Sequence, residues 1–154
     1  MSNRIQKRIE LKAPLSRVWR ALTDYREFGE WFLVKLEGPF IEGQVTLGRI
    51  TYPGYEHVKW EALVQKIEPE KLFSFTWGHI KSFDPATYSD DYSNAPTTLV
   101  EFRLEPTKEG TLLTLTESGF DQLPGDFREE AFRRNDGGWT EQIKNIEKHV
   151  AKSS

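Results

Sequence analysis

Glu117 stands near the end of TLLTLTES in phase with Leu113 and Leu115, so a strand that turns those leucines inward turns a carboxylate inward with them. At the mouth of an apolar pocket, desolvation penalises the charged form of such a group. That raises its pKa and suits it to bind a ligand's polar end or to act as an acid or base. The ordinary alternatives are an ion pair with a nearby arginine or a place in water. The surrounding chain is rich in rings, with five Trp, ten Phe and five Tyr. Trp31, Trp60, Phe75, Trp77, Phe102, Leu115, Glu117 and Trp139 form the candidate lining of an internal pocket, the lesser alternative being that side chains of this bulk fill the hollow completely. Phe83, Tyr88 and Tyr92 lie in the long segment GHIKSFDPATYSDDYSNAP and are candidate lid residues, because tyrosine joins apolar area to a hydroxyl suited to a rim. Packing on a sheet edge and joining two chains are the alternatives for that segment.

Other chemistries find little support. His57, His79 and His149 are the only histidines and none has the local spacing of a zinc motif, so no metal site is expected and the bland reading puts them at the surface or at hairpin ends. No serine sits in a G-x-S-x-G elbow and no glycine loop resembles a phosphate cradle. The chain has no cysteine, which removes thiolate catalysis, disulfides and iron–sulfur reductase chemistry together. No cofactor is expected, and no recognised catalytic motif marks an enzyme. With a net charge of −3 and dispersed Lys and Arg, nucleic acid is not an expected partner. Nowhere does an uncharged apolar run reach membrane-spanning length and the N-terminus has no apolar targeting core, so no membrane insertion is expected and the cytoplasm is the expected location.

The elements that must position these residues follow from periodicity. RIQKRIELK alternates Ile5, Ile9 and Leu11 as a half-buried strand does. After Pro14, Leu15, Val18, Trp19 and Leu22 form a helical stripe, and TDYREFGEWF predicts a second short helix ending near Gly29. A run of strands follows. Val58, Trp60, Ala62 and Val64 share one face, as do Phe73, Phe75 and Trp77, then Val100, Phe102 and Leu104, then Leu113, Leu115 and Glu117. GDFREEAFRRN predicts a short amphipathic stretch. In NDGGWTEQIKNIEKHV a double glycine lets the chain swing onto the sheet, and Trp139, Ile143, Ile146 and Val150 form the stripe of a terminal helix. An antiparallel sheet with one apolar face needs a cover, and this helix has the stripe to supply it. Residues 1–154 read as one domain.

Several spaced segments carry a family resemblance: IELKAPLSRVWRALTD, GEWF, IEPEKLFSFTW, TLVEF, GTLLTLTESGF and GGWTEQIKNIEKH. In order and nearly end to end, they resemble the heat-shock-chaperone ATPase activator branch of the START-like (SRPBCC) helix-grip superfamily. The resemblance implies an α+β fold in which a curved antiparallel sheet of about seven strands wraps a long C-terminal helix, with two short helices after the first strand. It also implies kinship with pollen allergens, lipid-transfer domains and aromatic polyketide cyclases. The eukaryotic co-chaperone of this branch engages its chaperone through a separate N-terminal domain as well, whereas this chain starts close to its first strand. The leading expectation is therefore a binding protein for a small apolar or aromatic molecule held between sheet and terminal helix. A chaperone-regulating module is the runner-up, a cyclase- or hydrolase-like enzyme comes third, and a homodimer is left open.

Overall fold

In the computed structural model, which describes residues 4–152, the first alternating segment forms β1 (Arg4–Leu11), burying Ile5 and Leu11 while Gln6, Arg8 and Glu10 face water. Two short helices follow. α1 (Leu15–Thr23) buries Val18, Ala21 and Leu22, and α2 (Tyr25–Phe32) buries Phe28, Trp31 and Phe32. The Asp24 carboxylate caps α2, accepting from the N–H groups of Arg26 at 2.9 Å and Glu27 at 3.3 Å.

The second helix does not end at Gly29, as its sequence predicts, but continues to Phe32 and is closed by Leu33 in the left-handed region at φ 69°. Gly29 serves another need. A Cβ there would lie 2.4 Å from the Val34 carbonyl oxygen, so only glycine lets the following strand pass this close beneath the helix.

That strand is β2 (Val34–Leu36), and β3 (Val45–Ile50), β4 (Lys59–Glu68), β5 (Leu72–Gly78), β6 (Thr97–Pro106) and β7 (Thr111–Ser118) complete the sheet. Consecutive strands from β2 to β7 pair antiparallel as a meander, and β1 joins at the far edge beside β7. The seven-stranded order is β1-β7-β6-β5-β4-β3-β2. A register shift between Val64 and Lys66 marks an irregularity in β4, the kind of defect that bends a strand and increases its twist. Phe73, Phe75, Phe102, Leu113 and Leu115 are at most 1% exposed on the gripped face.

α3 (Gly125–Lys152) is one unbroken helix of 28 residues. The predicted break at the double glycine is therefore absent, and GDFREEAFRRN is the helix's first third rather than a separate element. Gly137 and Gly138 are exposed, and each lowers helix propensity by about 1 kcal/mol relative to Ala. Burial of Phe127, Ala131, Trp139, Ile146 and Val150 against the sheet outweighs that cost. Ile143 packs partly buried against the same core.

The far end of α3 is fastened to the short helices by a polar cluster. Glu27 accepts from Arg17 Nη1 at 2.7 Å and from Arg20 Nε at 2.7 Å, and it contacts His149 Nε2 at 2.9 Å. Partial burial raises the Glu27 pKa, but hydrogen bonds from His149, Arg17 and Arg20 outweigh it and leave the carboxyl below its usual range. Among the described residues no helix is long and apolar enough to cross a membrane.

Candidate functional site

The sheet sets Trp77 on β5 directly opposite Thr98 on β6, and Glu117 follows on β7, while α3 presents Asn135 and Trp139 one turn apart on its inner face. These side chains meet at the Glu117 carboxylate. Oε1 accepts from the Trp139 indole at 2.8 Å and from Asn135 Nδ2 at 3.0 Å. Oε2 accepts from the Trp77 indole at 2.9 Å, from the Thr98 hydroxyl at 2.5 Å and from the same Asn135 amide at 3.1 Å, with His79 Nε2 3.4 Å away.

Glu117 is thus not a carboxylate at a pocket mouth. It is completely buried, with both oxygens taken up by the protein itself. Its expected raised pKa is corrected too. Burial alone raises it, but the contacts from His79, Thr98 and Trp77 outweigh burial and hold the group below the usual carboxylate range. A buried anion is costly unless every lone pair finds a donor, and here the donors come from two strands, the segment after β5 and the terminal helix. The network clamps α3 to the sheet.

The other expected lining residues do gather between sheet and helix, but they pack on one another. Trp77 and Trp139 stack at 5.7 Å, Trp60 meets Phe75 at 5.6 Å, and Phe102 meets Trp139 edge-on at 5.9 Å. Trp31 donates its indole N–H to the Ala21 carbonyl at 2.8 Å and leans on Phe102. The space bounded by Trp31, Phe102, Leu115 and Trp139 has no room for a water molecule. Of the two outcomes open from the sequence, the rings fill the hollow in this conformation.

The candidate lid lies folded down. Tyr88 accepts the Lys59 N–H at 2.7 Å, Tyr92 donates to the Lys59 carbonyl at 3.0 Å, and the two hydroxyls meet at 3.0 Å. Pairing between β4 and β5 begins only at Ala62 and Trp77, so the two tyrosines satisfy backbone groups that lack a strand neighbour. Burial and the Tyr88 contact push the Tyr92 pKa upward, which keeps its proton available for donation. The His57 ring contacts the Phe83 carbonyl at 2.6 Å, and Arg134 of α3 lies 4.6 Å from the Phe83 ring. The tyrosine hydroxyls therefore engage the backbone of β4.

Open space lies beside this loop. A surface cleft of about 300 Å³ runs between the loop's two stems and the start of α3, walled by Ile80, Ala95, Pro96, Pro124 and Phe127. Lys81, held 2.8 Å from Asp126, lines it as well, together with Asp91, Ser93 and Asn94. His79 also lines the cleft, although its side chain is only 3% exposed. Its Nε2 lies 2.7 Å from the Thr98 hydroxyl, and its ring packs against Phe120 at 5.7 Å.

The sequence predicts His79 at the surface or at a hairpin end, and it lies just past the end of β5 but buried. The available signal was its phase, since it continues Phe73, Phe75 and Trp77 at alternate positions. Asn135 was missed because the helix was read as starting after the double glycine. An uninterrupted helix puts it four residues from both Ala131 and Trp139. Among the described residues, no three His, Asp or Glu side chains gather where they could hold a metal ion.

Known structures share this architecture. A protein from Mesorhizobium loti superposes with a TM-score of 0.76 at 24% identity, with 98% of each chain covered. A protein from Arthrobacter aurescens gives a TM-score of 0.75 at 19% identity, covering 99% of this chain and 88% of that one. The Aha1 dimer from Colwellia psychrerythraea, solved in solution, gives 0.69 at 18% identity, covering 97% and 96%. At these identities the likeness speaks for the fold. No curated protein matches the chain. The family model described as activator of Hsp90 ATPase homolog 1-like protein matches residues 12–151, nearly the whole length, and the chain belongs to that family.

Proposed function

We propose that the protein binds a small apolar or aromatic molecule in the surface cleft between the stems of the β5–β6 loop and the start of α3. The observation that carries this reading is the cleft itself. Its volume of about 300 Å³ is at the lower end of ligand sites, and it sets an apolar side made by Ile80, Ala95, Pro96, Pro124 and Phe127 against polar groups from His79, Lys81, Asp91, Ser93 and Asn94. The cleft-lining His79 shares the Glu117 carboxylate with Trp77 and Trp139, which ties the cleft to the packed interior. Binding is favoured over catalysis because the buried carboxylate is fully engaged by protein donors.

Native mass spectrometry of protein purified from its host, followed by a thermal-shift screen of small aromatic compounds, tests the reading. A retained or stabilising ligand whose effect disappears when Ala95→Trp fills the cleft supports it. Absence of any ligand from both experiments contradicts it.

A second reading, regulation of a chaperone ATPase through surface contacts, is supported by the family description. Stimulation of a purified chaperone's ATPase by this chain would promote it. The dimeric Colwellia relative makes a homodimer the assembly to test, by sedimentation.

A further inference from the structure

A proton count around Glu117 bears on what the cleft recognises. The carboxyl is held in its ionised form and has no proton to give, so the Thr98 hydroxyl, 2.5 Å from Oε2, must donate to it. A hydroxyl has only one proton. Thr98 therefore accepts in its contact with His79, and the 2.7 Å separation requires the hydrogen to be on His79 Nε2. Glu117 thereby sets the tautomer of His79 through Thr98, much as a carboxylate orients an imidazole by direct contact.

The other ring nitrogen, Nδ1, has no hydrogen-bond partner among the described residues, and its residue lines the cleft. With Nε2 carrying the hydrogen, a neutral ring leaves Nδ1 as an acceptor. From these relations we infer that His79 Nδ1 is the polar recognition point of the cleft, and that the ligand is a flat apolar molecule bearing a weakly acidic hydroxyl, of the phenol or enol class.

The apolar walls take the ring and Nδ1 takes the hydroxyl. Such a ligand suits the site wherever the shared proton rests. On oxygen, the ligand donates to Nδ1; on Nδ1, a phenolate accepts from an imidazolium whose charge faces Glu117 at 3.4 Å. No other bond changes. An ether of the same shape has no proton to share and leaves Nδ1 unpaired.

This inference rests on the cleft being the binding site, and the experiment separates the two claims. Binding of 2-naphthol, 2-methoxynaphthalene and naphthalene to the full chain is followed by NMR, with the His79 ring nitrogens observed through their long-range proton couplings. The free protein is expected to carry hydrogen on Nε2. 2-Naphthol is expected to bind roughly tenfold more tightly than its methyl ether, a ratio typical of one well-placed hydrogen bond. It should move the Nδ1 resonance, and His79→Phe, with its fold checked by circular dichroism, should erase the tenfold preference. A bare Nε2 in the free protein overturns the inference without any variant. Equal binding of naphthol and ether in the cleft, or an unmoved Nδ1, overturns it while the cleft reading stands. Failure of all three probes to bind in the cleft overturns both.

Discussion

Trp77 and Trp139 stack with their ring centroids 5.7 Å apart and their planes 22° from parallel, and each donates its indole N–H to a different oxygen of Glu117. One belongs to the sheet and the other to the terminal helix, so a single carboxylate fixes how the helix sits in the sheet's grip.

Replacing Glu117 by Gln should destabilise the protein by about 3–5 kcal/mol, the scale of breaking a buried ionic network, because the new amide turns N–H groups toward donors that already need an acceptor. Chemical denaturation measures this directly. A loss under about 1 kcal/mol would mean that the network contributes little to holding α3.

Acid sensitivity should follow the same residue. The folded pKa of Glu117 lies below the ordinary glutamate value of 4.5, so the folded state takes up protons less readily than the unfolded one. The corresponding stability is complete above the unfolded value and is lost as pH falls through the lower folded value. The difference in unfolding free energy between the wild type and Glu117→Gln should therefore be constant above a pH of about 4.5 and shrink below it. Glu27, lowered in the same direction, adds to the acid loss of both proteins and leaves their difference unchanged.

Gly137 and Gly138 offer a change in the opposite direction. Both lie within α3 at ordinary helical φ, and a Cβ at either position would meet nothing within 4 Å. Either glycine changed to alanine should add about 0.5–1 kcal/mol by reducing the freedom of the unfolded chain. Thermal unfolding that shows destabilisation would argue for a contact on that face in the working protein.

The long loop should loosen without global unfolding when its tyrosines lose their hydroxyls. Tyr88→Phe with Tyr92→Phe removes both contacts to the Lys59 backbone, each worth about 1 kcal/mol. Hydrogen exchange at the Lys59 amide should accelerate about tenfold while amides at the centre of β6 and β7 stay protected. Uniform acceleration across the sheet would instead make the loop part of the global core.

The fold was legible because it is written in long periodic stretches. Alternation from Val58 to Val64 and from Val100 to Leu104, and the stripe from Trp139 to Val150, each bury a repeating face and tolerate no shift in register. The site was less legible, because its chemistry depends on pairings between distant segments. Glu117 was found through its phase. Its hydrogen-bond donors Thr98 and Asn135 are small polar residues whose meaning appears only when β6 and α3 converge on β7. The two glycine readings failed for a common reason. At Gly29 the demand is a close backbone approach, and at Gly137 tertiary burial overrides a local preference for breaking the helix.

The central claim is that the interior stays closed and the ligand sits outside it, over His79. The five Trp side chains each carry one indole N–H as a reporter, two of them bonded to Glu117 and one to Ala21. Titration of the labelled protein with 2-naphthol should shift amide resonances of His79, Ile80, Lys81, Asn94, Ala95 and Phe127, leaving the deep Trp31 and Trp139 indole signals in place. Large shifts of Trp31 and Trp139 with an unchanged cleft would put the ligand between sheet and helix and contradict the account.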